Sequence, residues 1–145
     1  SLPFETLFIS YNLNTPLGSQ LSRQLKAGSD VRLVNSPSEA QAILYVLGER
    51  RSRNVVAYNA YGDAREYELK LEVSFRLSAP DGAQYLPDTV IAAVREISYN
   101  EEDYLTRDAE EALVINEMLS DIVVQMVRRI EKAQPPKQPE DLTTR

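Results

Sequence analysis

The chain has 145 residues, with 16 Lys and Arg against 22 Asp and Glu for a formal net charge of −6, and it contains no His, Cys or Trp. Without Cys there is no disulfide framework, thiolate metal site or cysteine nucleophile, and without His the commonest general base and transition-metal ligand are gone. What remains is carboxylate, Lys, Tyr or Ser/Thr chemistry, or a hard-cation site of oxygen ligands; the acidic balance argues against generic nucleic-acid binding, which needs excess Lys and Arg to neutralise phosphates.

Leu7 to Tyr11 is a short apolar run closed by Asn12, Asn14 and Pro16, and it predicts a first strand. Thr15 or Asn14 caps the helix that follows, with Pro16 in its first turn, Leu17, Leu21 and Leu25 on one face, and Gly28 as its stop. Val31 to Val34 is a short strand and Asn35 to Ser38 a turn. A nearly continuous apolar run, Ile43 to Leu47, opens the next strand, and the pattern resumes at Val55 to Tyr58. Between them lies Glu49-Arg50-Arg51-Ser52-Arg53, the densest basic cluster in the chain. Asn59 to Ala64, with Gly62-Asp63 inside it, is a hairpin turn.

From Tyr67 to Leu77 the odd positions are apolar, while Glu66, Glu68, Lys70, Glu72, Ser74 and Arg76 are polar. That period of two predicts a long antiparallel strand with one face left to solvent or a partner. Pro80-Asp81-Gly82 turns the chain, and Tyr85 to Tyr99 returns as a second long strand, with Pro87 marking a bulge or a sheet edge. Asn100, followed by Glu101, Glu102 and Asp103, reads as the cap and acidic first turn of a helix running to about Ala133, roughly 50 Å long. Leu105, Ala109, Ala112, Ile115, Leu119, Ile122, Met126 and Ile130 form its apolar stripe. Pro135, Pro136 and Pro139 end it, and 134–145 is expected to be a disordered tail. The elements predict a single α+β domain over 1–133. It is a two-layer sandwich with two helices packed on one face of a mostly antiparallel, mixed sheet of four to five strands.

Three constellations invite a functional reading. Residues 100–117 hold seven acids against Arg107 alone, which accounts for the whole net charge; the EF-hand spacing is missing, so a solvated helix start is the simpler account. Arg50, Arg51 and Arg53 could fork a phosphate or carboxylate, or could protect a strand edge. Tyr58, Tyr61, Tyr67, Tyr85, Tyr99 and Tyr104 lie near turns or strand ends, where Tyr caps a core or anchors an interface. No Walker loop, dinucleotide fingerprint or nucleophile elbow occurs, and no enzyme is expected.

Several pieces, in order, resemble the LPS-assembly lipoprotein family LptE. They are Pro16-Leu17 with a helix ending Arg23-Gln24-Leu25, the Glu66-Tyr67 pair, the Pro80-Asp81-Gly82 turn, and Arg95 before Tyr99-Asn100. The last is Leu105-Thr106-Arg107-Asp108 through Asn116-Glu117-Met118 to Arg128-Arg129-Ile130. The resemblance implies a non-catalytic lipoprotein on the periplasmic face of the outer membrane, tethered by an acylated Cys expected ahead of Ser1. It would plug the LptD β-barrel, assist its assembly and help deliver lipopolysaccharide to the outer leaflet, with no cofactor or metal. Of the family's two basic lipopolysaccharide contacts, Arg107 matches one; the other position is Ala60 here, with Arg65 close in sequence and Arg53 placed across the hairpin. Arg107, Arg65 and Arg53 are therefore the expected lipopolysaccharide-binding residues, and Arg107→Glu is expected to cost no more than about 0.5 kcal/mol of stability. Two competing readings stay open: a free-standing periplasmic binding module for an anionic ligand, built on Arg50, Arg51, Arg53 and Arg107, and a carboxylate-based enzyme, which would need two acids from Glu101 to Glu111 to converge in a cleft.

Overall fold

The computed structural model describes residues 2–99 and 106–136. Strand β1 is Thr6–Ser10, helix α1 Pro16–Gly28, strand β2 Arg32–Leu33, strand β3 Ala42–Tyr58, strand β4 Ala64–Ser78, strand β5 Gln84–Ser98 and helix α2 Arg107–Glu131. The strands form one open mixed sheet in the order β2-β1-β3-β4-β5. β1 runs parallel to β2 and β3, whereas β3, β4 and β5 are antiparallel neighbours.

α1 starts as its sequence prescribes: the Thr15 hydroxyl accepts the Gly18 N–H at 3.0 Å, and Pro16 takes a position whose N–H would have no helical partner. Its Leu17, Leu21 and Leu25 are fully buried. They meet Leu7 and Leu44 from the sheet, the alternating residues Leu69, Leu71, Val73, Phe75 and Leu77 of β4, and Met118, Ile122, Met126 and Ile130 of α2 in one core. Both helices therefore cover one face of the sheet. The other face carries the polar residues of β4 and, among the described residues, stays open to solvent apart from a small cluster of Val34, Ala40 and Ile43.

The strand that opens at Ile43 and resumes at Val55 is one element: the Arg50–Arg53 cluster lies inside β3, which runs unbroken for 17 residues. β1 pairs with β3 only as far as Tyr45, so beyond that point, among the described residues, β3 has β4 as its one strand neighbour and its outer edge is unpaired. Charge at a free edge discourages pairing with another chain. The described part of α2 begins at Arg107, after Thr106, and its 25 residues span about 37 Å; the expected cap Asn100 and the acids Glu101, Glu102 and Asp103 lie outside the described residues, as does most of the expected tail. Pro87 behaves as read. β5 is an edge strand, and its register against β4 shifts between the Phe75–Thr89 and Leu77–Leu86 pairs.

Candidate functional site

The apolar stripe of α2 does not extend to its first turns. Met118, Leu119, Ile122, Val123, Met126, Val127 and Ile130 are buried, but Ala109 and Ala112 are exposed and Leu113 is 65% exposed. Going back one turn at a time along the inward face, Ile122, Met118 and Ile115 give way to Glu111 and Arg107, both half-buried. β3 changes in the same way. A register shift after Val46 brings Glu49, Arg51 and Arg53 opposite Val73, Leu71 and Leu69, on the side the helices cover. Past the end of the apolar core, the helix–sheet interface thus continues as a polar annex.

Two aromatic rings floor that annex. Tyr67 at the start of β4 and Tyr99 just after β5 are each 6% exposed and meet edge to face at 5.6 Å. The Arg107 guanidinium lies 4.9 Å from the Tyr67 ring centroid and 4.8 Å from that of Tyr99, and it donates to the Tyr67 hydroxyl at 2.6 Å. The Arg53 guanidinium, from β3, also lies 4.9 Å from the Tyr67 ring. Each such contact contributes about 0.5–2 kcal/mol according to its desolvation. Arg53 Nη1 also meets Glu111 Oε2 at 3.2 Å.

Tyr99 is held from behind. Its backbone N–H donates to the Arg65 carbonyl at 2.9 Å, and Arg65 Nη1 donates back to the Tyr99 carbonyl at 3.2 Å. The Tyr99 hydroxyl is buried with no hydrogen-bond partner among the described residues. Its pKa is raised, first by burial and then by the charge of Glu111, with Arg107 and Arg53 pulling it down. Glu110 adds to the rise, so one phenol is influenced by both arginines and both acids.

The residues expected from sequence come together unevenly. Arg53 and Arg107 converge on Tyr67, while Arg65 acts one step away by fixing the Tyr99 backbone. Arg50 stands opposite Glu72, on the open face of the sheet, because neighbouring strand residues point to opposite sides. The pocket required of Arg50, Arg51, Arg53 and Arg107 together is therefore not formed. Sequence reasoning missed Tyr67 and Tyr99 as the platform and Glu111 as the partner of Arg53. The signal available was the placement of both tyrosines at strand ends beside arginines.

Among the described residues no group of three or more carboxylates is placed to hold a metal ion. No described helix is long and apolar enough to cross a membrane. The arrangement is suited to holding an anion: two guanidiniums, oriented by rings, at the rim of a two-layer interface.

The family model described as LptE, lipopolysaccharide-assembly, matches residues 4–130. No curated protein sequence matches the chain significantly. Among solved structures, the chain is similar to uncharacterized lipoprotein B from Nitrosomonas europaea, with a TM-score of 0.78 and 26% identity over 90% of this chain and 84% of that one. It also shares its fold with the minor lipoprotein of Acinetobacter baumannii, with a TM-score of 0.74 and 23% identity over 96% of this chain and 100% of that one. The rare lipoprotein B of Shewanella oneidensis aligns with a TM-score of 0.74 and 19% identity, over 85% of this chain and 91% of that one.

Proposed function

The chain belongs to the LptE, lipopolysaccharide-assembly, family, and from that premise we propose that it is a non-catalytic outer-membrane lipoprotein, seated in the LptD β-barrel on the periplasmic side, that contacts lipopolysaccharide through Arg53 and Arg107. Arg65 serves the contact indirectly, by fixing the Tyr99 backbone. The lipid anchor precedes Ser1 in this reading, in keeping with the lipoprotein named from Nitrosomonas europaea.

The observation that carries the lipopolysaccharide contact is the convergence of the Arg53 and Arg107 guanidiniums on the Tyr67 ring. Long side chains normally lose rotamer freedom when they take hold of a ligand; stacking restricts both in advance, so less is lost on binding a phosphate. The plug role draws support from the open sheet face, where Glu66, Glu68, Lys70, Glu72 and Arg76 give a polar surface suited to a polar barrel lumen.

The test uses the full-length lipoprotein co-expressed with LptD. Co-purification with the barrel is expected, and its absence would remove the plug role. Arg53→Ala combined with Arg107→Ala should lower the affinity for lipid A in phosphatidylcholine vesicles by tenfold or more, the loss expected for two charge-assisted contacts of about 1 kcal/mol each. Unchanged affinity would remove the two residues from the site.

A further inference from the structure

The unpaired edges of β3 and β5 differ in how they are protected. β3 carries Arg50, Arg51 and Arg53 along its unpaired stretch, and such charge discourages another strand. β5 ends the sheet among the described residues, and from Thr89 to Val94 it has no charge, no proline and no register shift against β4. Its Val90 and Val94, on the open face, are 58% and 44% exposed. An apolar edge without these devices is a template for a further strand. α2 runs back along β5, from Arg107 beside Tyr99 to Asp121 beside Arg95. Between strand and helix lies a groove of about 440 Å³, lined by residues 92–95 of β5 and by Asp121, Val124, Gln125 and Arg128 of α2. Successive strand residues line it, which places it along the edge of β5, because a single face would show only every second residue. The helix contributes one stripe at the spacing of neighbouring turns.

We propose that this groove receives an extended, acidic segment of another protein, which adds to the sheet as a strand beside β5. Main-chain hydrogen bonds along the edge supply the affinity, and the flanking side chains supply the selectivity. Ala92 and Ala93 are small and leave the incoming chain room beside the helix. Charge selects the occupant. Arg95 is already engaged, with Nη1 donating to the Val94 carbonyl at 2.9 Å and Nη2 meeting Asp121. Arg128 makes no ion pair among the described residues and is the cation left for a partner's carboxylate. A second copy of the chain, pairing through its own β5, would bring its Arg95 and Arg128 to the same place and set like charges together. The segment's residues therefore alternate. They are apolar on the open face, beside Val90, Ala92 and Val94, and acidic on the helix side, within reach of Arg128. The groove shares no residue with the arginine and tyrosine site, so the inference stands independently of the lipopolysaccharide contact.

The experiment offers the full chain three labelled peptides: one in which Val alternates with Glu, its counterpart with Lys in place of Glu, and the Glu peptide N-methylated at alternate residues. Fluorescence anisotropy gives the affinity, and amide hydrogen exchange followed by NMR gives the place. The Glu peptide should bind and slow the exchange of alternate backbone amides between Val90 and Glu96. N-methylation removes strand donors and should abolish both effects. Arg128→Glu, an exposed change, should weaken the Glu peptide by about fivefold, the loss expected of a partly exposed charge contact, and should favour the Lys peptide. No protection along β5 with any peptide would overturn the inference. Equal binding of the Glu and Lys peptides would overturn the acidic partner, and undiminished binding of the N-methylated peptide would overturn strand addition. Protection that grows with protein concentration alone would give the edge to a second copy. Protection present without peptide, and lost in a chain ending at Pro136, would give it to this chain's own C-terminal segment. Either of these last two results would also overturn the proposal.

Discussion

Arg107 shows how a residue's surroundings alter what its substitution should do. In the sequence it is a lone base in an acidic helix, where an i,i+4 ion pair worth a few tenths of a kcal/mol would be its ordinary role. In the structure it is half-buried, lies over two tyrosine rings and donates to the Tyr67 hydroxyl at 2.6 Å. Arg107→Glu should therefore cost about 1–2 kcal/mol, more than the 0.5 kcal/mol expected of a surface change, and the acid it introduces would face Glu111. Tyr67→Phe isolates one part of that effect: it keeps the ring and removes the acceptor, at a cost of about 1 kcal/mol. Urea denaturation of the two variants separates the contributions. Equal losses would mean that the hydrogen bond, and not the stacking, holds Arg107.

At the level of elements, the start of α1 carries a constraint that helix propensity alone would misjudge. Gly18 lies inside the helix, where Ala is normally favoured by about 1 kcal/mol. A Cβ at that position would stand 2.3 Å from the Asn12 carbonyl oxygen and 2.9 Å from the Leu13 Cα, both backbone atoms. The Asn12 carbonyl is itself held by the Thr15 hydroxyl at 2.7 Å, within the turn that caps the helix. Gly18→Ala should therefore destabilise the protein, with the melting temperature falling where a propensity scale predicts a rise. A rise would show that the Asn12–Thr15 turn yields freely. Elements whose pattern agrees with their burial were legible in advance, including the Leu17, Leu21 and Leu25 face of α1, the alternation of β4 and the edge character of β5. β3 was legible at its two ends, Ile43 to Leu47 and Val55 to Tyr58, but its middle was not, because its outer edge loses β1 after Tyr45 and the burial that would reveal a strand is lost with it. The site was legible in part: its arginines could be named from charge. Their meeting at Tyr67 depends on the β3–β4 register, which places Arg53 opposite Leu69, and on a helix whose inward stripe changes from apolar to charged at Glu111.

Across the whole molecule, the tyrosines link stability to alkaline pH. Tyr11, leaving β1, donates to the Glu49 carboxylate of β3, and burial, that hydrogen bond and the Glu49 charge raise its pKa from 10.0 to about 12. Tyr85 is raised by burial and by Asp81, and packs edge to face on Phe4 at 5.2 Å; Tyr99 is raised at the candidate site. Each of these phenols stays protonated in the folded chain over a range in which the unfolded chain ionises. Their contribution to stability is complete below the unfolded value near 10 and is lost as pH rises through the folded values, which for Tyr11 means between about pH 10 and 12. The net charge of −6 adds general repulsion as phenolates appear. With no Trp present, phenolate absorbance reports the titration without interference, and far-ultraviolet circular dichroism reports the fold. The native titration curve should lie to higher pH than the curve in urea, and the free energy of unfolding should decrease steadily above pH 10. Tyr11→Phe should flatten that decrease, because the residue then binds no proton in either state. A native curve superimposed on the urea curve would mean that the Tyr11–Glu49 contact and the burial of Tyr99 do not hold in solution.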